Sequence, residues 1–367
     1  MRVHPKLYYG TLHPKCLEVN AISVYSGIAE IRAHRSKCNV QTKGSEPHIE
    51  SMDDGRGEHG SSCISIRQKK GDFLEDQPFS SMKFSSRMKL LINGLLNRVG
   101  LHLDTLTTYR RETARLQRLQ KEGYFDRPVF PLPESLRISS SDLVCDDLLR
   151  YASRFDDFVE PTHNPVGFHF DNGFFTSPDA EVLYCMIRRH RPRKIVEIGS
   201  GSSTRISRLA LMDGEIEGQL VSIDPEPRSD IDEFADHVYR DPVENSNDLS
   251  LFSELEENDV LFIDSSHEFC AGNDLTYLYL RVLPILAPGV VVHIHDIFLP
   301  YDYPADWLLT QRLHYTEQYV VQVLLQCEGA FEVLWPGYFL QRTMSDFSDK
   351  FRHRKLGNAQ SLWLRKC

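Results

Sequence analysis

The organisation of this chain follows from one short stretch, Val196-Glu197-Ile198-Gly199-Ser200-Gly201-Ser202-Ser203-Thr204. It begins as an apolar strand pattern and turns through two glycines into hydroxyl residues that can cap a helix. Gly199 and Gly201 lack a Cβ, so the backbone can turn sharply and approach a ligand closely. A strand, a glycine turn and a helix in this order are typical of α/β folds that bind a nucleotide at the turn.

Strand and helix patterns alternate around this stretch, from about residue 179 to the end of the chain. Seven strands are predicted, at residues 194–198, 219–223, near 238, 260–263, 290–294, 331–335 and 361–364. Helices are predicted between them, including a short one at 230–236. This alternation predicts a Rossmann-like α/β fold with a mostly parallel sheet and helices on both faces. A ligand is then expected beyond the carboxyl ends of the strands, where the strand order reverses.

The residues before this fold have a different composition. Residues 44–71 are rich in Gly, Ser, Asp, Glu and Lys, and they cannot bury enough apolar surface to offset their ordering entropy. We therefore interpret 1–81 as a disordered or non-native extension, with Met82 or Met88 as an alternative natural start. Apolar spacing then predicts a helical N-terminal arm and linker over 82–165, before the main domain at 166–367. The arm is basic, so it either lies on a membrane surface or packs on the main domain or on a second subunit.

The composition argues against several classes of protein. The chain has 367 residues and a formal net charge of −10, which argues against nucleic acid as the main partner. No apolar run approaches the roughly 20 residues of a membrane-spanning helix, and no secretory signal is evident. The eight cysteines are scattered without a C-x-x-C pair, which is typical of reduced thiols rather than of a zinc or dithiol site. We expect a cytoplasmic protein; its oligomeric state stays open.

A second candidate site follows the next strand. Asp224 comes 25 residues after Gly199, where a carboxylate can accept hydrogen bonds from both hydroxyls of a ribose. An aspartate in a strand-end turn before Pro225 is also common without any ligand. The dinucleotide pattern G-x-G-x-x-G fails because Thr204 occupies its third glycine position. A nicotinamide-dependent oxidoreductase and a non-catalytic nucleotide-binding protein remain the alternative functions.

Glu197-x-Gly199-x-Gly201, followed by a strand that ends in Ile223-Asp224, resembles the class I S-adenosylmethionine-dependent methyltransferases. The chain is similar in particular to bacterial methyltransferases of the domain 24 type. The segments that carry this similarity are Asp179-Ala180-Glu181-Val182-Leu183-Tyr184, the glycine stretch, Phe262-Ile263-Asp264-Ser265-Ser266-His267 and His293-Ile294-His295-Asp296-Ile297-Phe298-Leu299-Pro300.

The resemblance covers about 168–366, with a weaker similarity over 88–133. It implies S-adenosylmethionine as the cofactor and a ribose contact from Asp224. The leading hypothesis for the reaction is methyl transfer to a hydroxyl of a small molecule or a glycan. The resemblance also implies Asp264 and loop residues as cofactor contacts, the latter being Glu197, Gly199, Ser200, Gly201 and Ser203. Ser203 stands where many relatives have a third glycine, and a serine is small enough to keep the loop.

Candidate catalytic residues follow two later strands. Asp264 and His267 come after 260–263, and histidine suits proton abstraction from an acceptor hydroxyl near neutral pH. His267 is the predicted base, although a structural or helix-capping histidine would look the same. Asp264 and Asp296 are predicted to place the acceptor, and His295 is the next catalytic candidate.

A metal site is conceivable at the same two strand ends. Asp264 and Asp296 would be its ligands, because Mg²⁺ prefers oxygen donors. Relatives that bind a metal usually have a further acidic or amide residue after the second aspartate, where this chain has Ile297. We therefore assign no metal. The aromatic, proline-containing segment 298–307 is either a substrate cover or ordinary packing.

Overall fold

A computed structural model of the chain describes residues 2–5, 86–99, 101–104, 106–137, 141–327, 329–351 and 356–367. Most of 1–81, and with it the prediction of a disordered extension, lies outside these ranges. The chain divides into two compact units, Met1–Glu112 and Thr113–Cys367. Within the described ranges, no helix has the length and apolar character needed to cross a membrane.

The first unit contains a two-stranded antiparallel sheet. Strand β1 (Arg2–Pro5) pairs with β2 (Leu101–Asp104) over four residues. Helix α1 (Ser86–Leu96) precedes β2. Helix α2 (Leu106–Lys121) follows it and continues into the second unit.

The second unit is built on a sheet of seven strands: β3 (Lys194–Ile198), β4 (Gln219–Ile223), β5 (His237–Tyr239), β6 (Val260–Ile263), β7 (Val291–Ile294), β8 (Phe331–Pro336) and β9 (Leu362–Lys366). Its remaining α-helices are α3 (Glu134–Arg137), α4 (Ser141–Arg150), α5 (Asp179–His190), α6 (Ser202–Asp213), α7 (Ser250–Ser253), α8 (Asp274–Tyr277), α9 (Glu317–Gln326) and α10 (Gly337–Thr343). Helix α8 continues as a π-helical turn (Leu278–Val282) and a 3₁₀ turn (Leu283–Ile285).

The strand order in the sheet is β5-β4-β3-β6-β7-β9-β8. Strands β3 to β7 pair in parallel, and β9 runs antiparallel to both of its neighbours. The predicted mostly parallel, seven-stranded sheet is therefore confirmed. A short helix predicted at 230–236 is absent from the described structure, which has a single hydrogen-bonded turn around Ile231–Phe234 instead.

The core lies on both faces of this sheet, because side chains alternate along each strand. In β3, Ile195 packs in a buried cluster with residues of α5 and α6. Its neighbour Val196 points the other way, into a second cluster with Leu275 and Val321 of the helices on the opposite face. Helices therefore cover both faces, as the alternating pattern predicts.

The strand order reverses at β3, which has β4 on one side and β6 on the other. The loops that leave these strands are tied together. Gly199 N donates to Ile223 O at 3.2 Å, and Asp264 N donates to Ile198 O at 2.9 Å. The candidate residues after β3, β4, β6 and β7 thus lie along one edge of the sheet.

Candidate active site

The glycine loop joins β3 to α6 and is shaped by its contact with the neighbouring loop. Gly199 has a φ of +78°, a conformation that costs residues with a Cβ about 1–2 kcal/mol. A Cβ on Gly199 would overlap the backbone carbonyl oxygen of Asp264. The glycine is therefore required by the close approach of two protein loops, in addition to any approach by a ligand.

Glu197 lies under this loop and is fully buried. Ser203 Oγ donates to Glu197 Oε1 and Thr204 Oγ1 donates to Oε2, both at 2.6 Å. Thr204 Oγ1 in turn accepts from Gly201 N at 3.0 Å. Burial raises the pKa of Glu197 to about 8, even though the two hydroxyl hydrogen bonds lower it. Glu197 thus holds the loop and the first turn of α6 together from below.

Asp224 follows β4 and is bound to the same loop. Its Oδ2 accepts from Ser200 N at 2.7 Å and from Ser200 Oγ at 3.1 Å. Its Oδ1 accepts from Glu226 N at 2.8 Å. The carboxylate is half-buried, so it retains acceptor capacity on the side that faces solvent.

A cavity of about 370 Å³ opens beside the loop, within the size range of small-molecule sites. Asp264 forms part of its wall. The other lining residues come from the glycine loop and the first turn of α6, from the loop after β4 and from a segment before α5: Ser200, Gly201, Ser202, Ser203, Arg205, Arg228, Ser229, Gly167, Phe168, His169, Asp171, Asn172, Phe174 and Phe175. Sequence reasoning missed the segment 167–175 because it has no regular periodicity.

Asp264, His267 and Asp296 come together at the ends of β6 and β7. His267 Nε2 lies 3.1 Å from Asp264 Oδ1 and 3.3 Å from Asp296 Oδ2. His267 and Asp296 both have a φ of 58°, which is uncommon for residues other than glycine and is often found at functional sites. The three residues predicted from separate strand ends therefore form one cluster, in which Asp264 also belongs to the cavity wall.

The charges in this cluster favour a protonated histidine. Burial alone would lower the pKa of His267, but hydrogen bonds to Asp264 and Glu317 and the nearby Asp296 raise it well above its ordinary value. Burial raises the pKa of Asp296. The carboxylates around His267 therefore favour the protonated form of its ring, whose Nε2 faces Asp264 and Asp296.

Glu317 is a residue of this cluster that sequence reasoning missed. It is fully buried at the start of α9, and its Oε2 lies 2.8 Å from His267 Nδ1. Tyr279 OH donates to Glu317 Oε1 at 2.7 Å. Glu317 is 50 residues from His267 in sequence. The only local signal is a charged residue at the start of a largely apolar helix.

Two further histidines, His293 and His295, lie in β7 and directly after it. His295 is buried, and its Nε2 is 3.8 Å from Asp296 Oδ1. His293 stacks on Phe262 and its Nε2 is 3.1 Å from Ser361 Oγ. His295 thus lies beside Asp296, and its ring is 5.2 Å from that of Phe175 in the cavity wall, while His293 belongs to the core.

One donor set in the described part of the chain could hold a metal ion. The nearest ligand atoms of Asp264, His267 and Asp296 all lie within 4.8 Å of one another. Two carboxylates and an imidazole are suitable donors for several divalent ions. Ile297, the position at which metal-binding relatives add a further polar ligand, is buried and apolar.

The sequence profile of a methyltransferase domain family matches residues 196–297, which span the glycine loop, Asp224 and the whole cluster except Glu317. This is the domain 24 type that the sequence resembles. A search of curated proteins found no match.

Several solved structures are similar to this chain at low sequence identity. The methyltransferase PaMTH1 of Podospora anserina, bound to SAH, is 15% identical over 65% of this chain and 98% of that one, with a TM-score of 0.33. The O-methyltransferase TomG of Streptomyces achromogenes, involved in tomaymycin synthesis and bound to SAM, is 16% identical over 63% and 92%, with a TM-score of 0.32. An O-methyltransferase of Bacillus cereus with SAH is 11% identical over 70% and 99%, with a TM-score of 0.34.

The identification depends on the family match together with the geometry. Residues 196–297 contain the glycine loop at the point where the strand order reverses, next to a cavity of suitable size. Residues 196–297 form a methyltransferase domain of this family, and the sheet around them has the Rossmann-like fold of the class I S-adenosylmethionine-dependent methyltransferases.

Proposed function

We propose that the chain transfers the methyl group of S-adenosylmethionine to a hydroxyl group of a small molecule or a glycan. One observation supports this most directly: Asp264 lines the cavity beside the glycine loop and also lies 3.1 Å from His267 Nε2. The cofactor cavity is therefore continuous with a group of side chains that can accept a proton. An acceptor hydroxyl has to lose its proton when it attacks the methyl carbon, so it needs such a group.

In this proposal the cofactor occupies the cavity, with its methionine part over Ser200, Gly201 and Ser203 and its ribose hydroxyls on Asp224. The free N–H groups at the start of α6 favour an anionic group such as a carboxylate there. Gly199 allows the loop to lie against Asp264, and Glu197 supports the loop without touching the cofactor. Glu197 thus changes from a proposed cofactor contact to a positioning residue.

The transfer step requires one bond to form and one to break. The acceptor oxygen forms a bond to the methyl carbon, the sulfonium–methyl bond breaks, and S-adenosylhomocysteine leaves. The hydroxyl proton passes to the pair formed by His267 and Asp296, whose nearest atoms are 3.3 Å apart. The raised pKa of Asp296 makes that carboxylate a better proton acceptor than an ordinary one.

Asp264, Asp296 and His267 Nε2 are the groups that would hold a divalent ion if this enzyme uses one. Such an ion would supply positive charge that favours the ionised acceptor hydroxyl. In either case the proposal places the acceptor oxygen close to Asp264. Metal dependence is tested by dialysis against a chelator, followed by methyl transfer measured with and without added Mg²⁺ once an acceptor is known.

The cofactor assignment is tested by calorimetric titration with S-adenosylmethionine and, separately, with NAD. We expect binding of S-adenosylmethionine only, and a loss of at least about tenfold in affinity for Asp224→Ala, since a hydrogen-bonded charged group contributes about 1.5–3 kcal/mol. The matched control is Glu257→Ala, which removes an exposed carboxylate in the turn before β6, at the opposite edge of the sheet. Binding of NAD alone, or equal affinities in all three proteins, contradicts the assignment.

The catalytic assignment is tested with His267→Ala and with His314→Ala, which removes an exposed histidine. We expect His267→Ala to bind the cofactor normally and to transfer the methyl group about 10²–10⁴ times more slowly. Full activity in His267→Ala reassigns this histidine to a structural role and makes His295 the next candidate.

A further inference from the structure

The two ring nitrogens of His267 contact carboxylates on opposite sides of the imidazole. Its Nε2 faces Asp264 and Asp296, the side on which the acceptor is proposed to bind. Its Nδ1 lies 2.8 Å from Glu317 Oε2, on the side away from the cavity. The face of the ring packs on Tyr315, with ring centroids 4.6 Å apart. These groups leave the imidazole a single orientation.

Burial of the Glu317 carboxylate costs free energy that packing contacts alone do not offset. A carboxylate taken out of water costs several kcal/mol unless it is paired and hydrogen-bonded. Among the described residues, His267 is the only basic side chain recorded in an ion pair with Glu317. The other carboxylate oxygen of Glu317 accepts from Tyr279 OH, so both oxygens of Glu317 have buried donors. The surroundings of Glu317 are therefore built around the His267 ring.

The backbone ties the same two segments together. Thr316 N and Glu317 N both donate to the carbonyl oxygen of His267, at 2.8 and 3.2 Å. Thr316 Oγ1 accepts from Phe269 N at 2.8 Å. The start of α9 is thus bound to the loop after β6 through main chain and side chains, which fixes the distance between Glu317 and the imidazole.

We propose that Glu317 is the positioning residue for His267: it accepts the Nδ1–H, which keeps Nε2 directed at the acceptor, and it stabilises the imidazolium formed when the acceptor's proton arrives. Tyr279 holds the Glu317 carboxylate in place. A buried carboxylate behind a proton-transferring histidine has these same two effects in hydrolases with a Ser-His-Asp triad. The inference rests on the proposed role of His267 in methyl transfer.

The test uses the full chain with ¹⁵N-labelled histidine and follows the ring N–H resonances by NMR. A strongly hydrogen-bonded Nδ1–H gives a downfield proton signal, which is assigned to His267 by its loss in His267→Gln. We expect Glu317→Gln, which keeps the shape but removes the charge, to move this signal upfield. Tyr279→Phe should move it less, since the carboxylate remains.

The matched control is Glu181→Gln. Glu181 is also fully buried, and its one recorded side-chain hydrogen bond is from Ser177 Oγ, so this change should leave the His267 signal in place. Calorimetry with S-adenosylmethionine should give affinities within about twofold of the wild type in all variants. A His267 signal that is unchanged in Glu317→Gln, or moved equally in Glu181→Gln, overturns the proposal. Failure of the wild type to bind S-adenosylmethionine instead overturns the proposed function, and the NMR result then still reports whether Glu317 holds His267.

Discussion

Several residues of the glycine loop are required by contacts within the protein as well as by any contact with a ligand. Gly199 is the clearest example, because its missing Cβ makes room for the carbonyl of Asp264. Ser203 also bonds within the protein, because its Oγ donates to Glu197 of β3. The conformation of the glycine loop is therefore fixed by hydrogen bonds and close contacts within the protein.

The clash at Gly199 predicts a loss of stability that is separate from backbone strain. Gly199→Ala and Gly272→Ala both place a Cβ on a left-handed residue, at φ values of +78° and +74°, but Gly272 has open space around it. We expect Gly272→Ala to lower the free energy of unfolding by about 1–2 kcal/mol and Gly199→Ala to lower it by clearly more. Thermal unfolding of the two variants measures the difference, and equal losses would show that the loop can move away from Asp264.

Glu197 predicts a dependence of stability on pH. Its pKa in the folded protein is about 8, above the ordinary value of 4.5, so the folded state binds the proton more tightly. The stability of the wild type should therefore fall between about pH 4.5 and pH 8, by at most about 1.4 kcal/mol per pH unit. Glu197→Gln lacks this proton and should gain on the wild type over the same interval. Chemical denaturation of both proteins at several pH values tests this; parallel curves would falsify it.

At the scale of elements, buried side-chain hydrogen bonds join the first turn of α6 to strand β3. Thr204 Oγ1 accepts from Gly201 N and donates to Glu197, so one hydroxyl joins the loop, the helix and the strand. Helix α9 has a similar role on the other side of the sheet, where its first residues bind the loop after β6. Two helix starts thus support the two halves of the site.

The hydroxyl of Thr204 predicts the behaviour of two variants. Thr204→Val keeps the side-chain shape but removes the cap, which should cost about 0.5–2 kcal/mol of stability and weaken cofactor binding by loosening the loop. Thr204→Ser keeps the hydroxyl and should stay close to the wild type in both respects. Melting temperature and calorimetric affinity are the measurements. If the two variants behave alike, the hydroxyl does not hold the loop.

At the scale of the whole molecule, the candidate site is confined to the second compact unit. All its residues, from the cavity segment 167–175 to Glu317, lie within Thr113–Cys367. The composition of 44–71 also predicts no packed core. We therefore expect a shortened chain that starts at Met82 to keep the melting temperature and the S-adenosylmethionine affinity of the full chain. A large loss of either would mean that the earlier residues contribute to the folded unit.

The sequence by itself determined the sheet, the glycine loop and the strand-end carboxylates, because each depends on a local pattern. Periodicity places β3 and α6, and parallel strands put Asp224, Asp264 and Asp296 along the same carboxyl edge of the sheet. Local patterns did not reveal why Gly199 is a glycine, since the carbonyl that it meets belongs to another loop.

Only the tertiary structure decided the partners of His267 and the direction in which its pKa is shifted. Glu317 lies 50 residues away in sequence and reaches the imidazole because α9 packs against the loop after β6. The same packing removes water from the ring, which lowers its pKa, and places three carboxylates around it, which raise the pKa by more. Burial and charge at one atom depend on every element that meets there, and no single stretch of sequence contains them all.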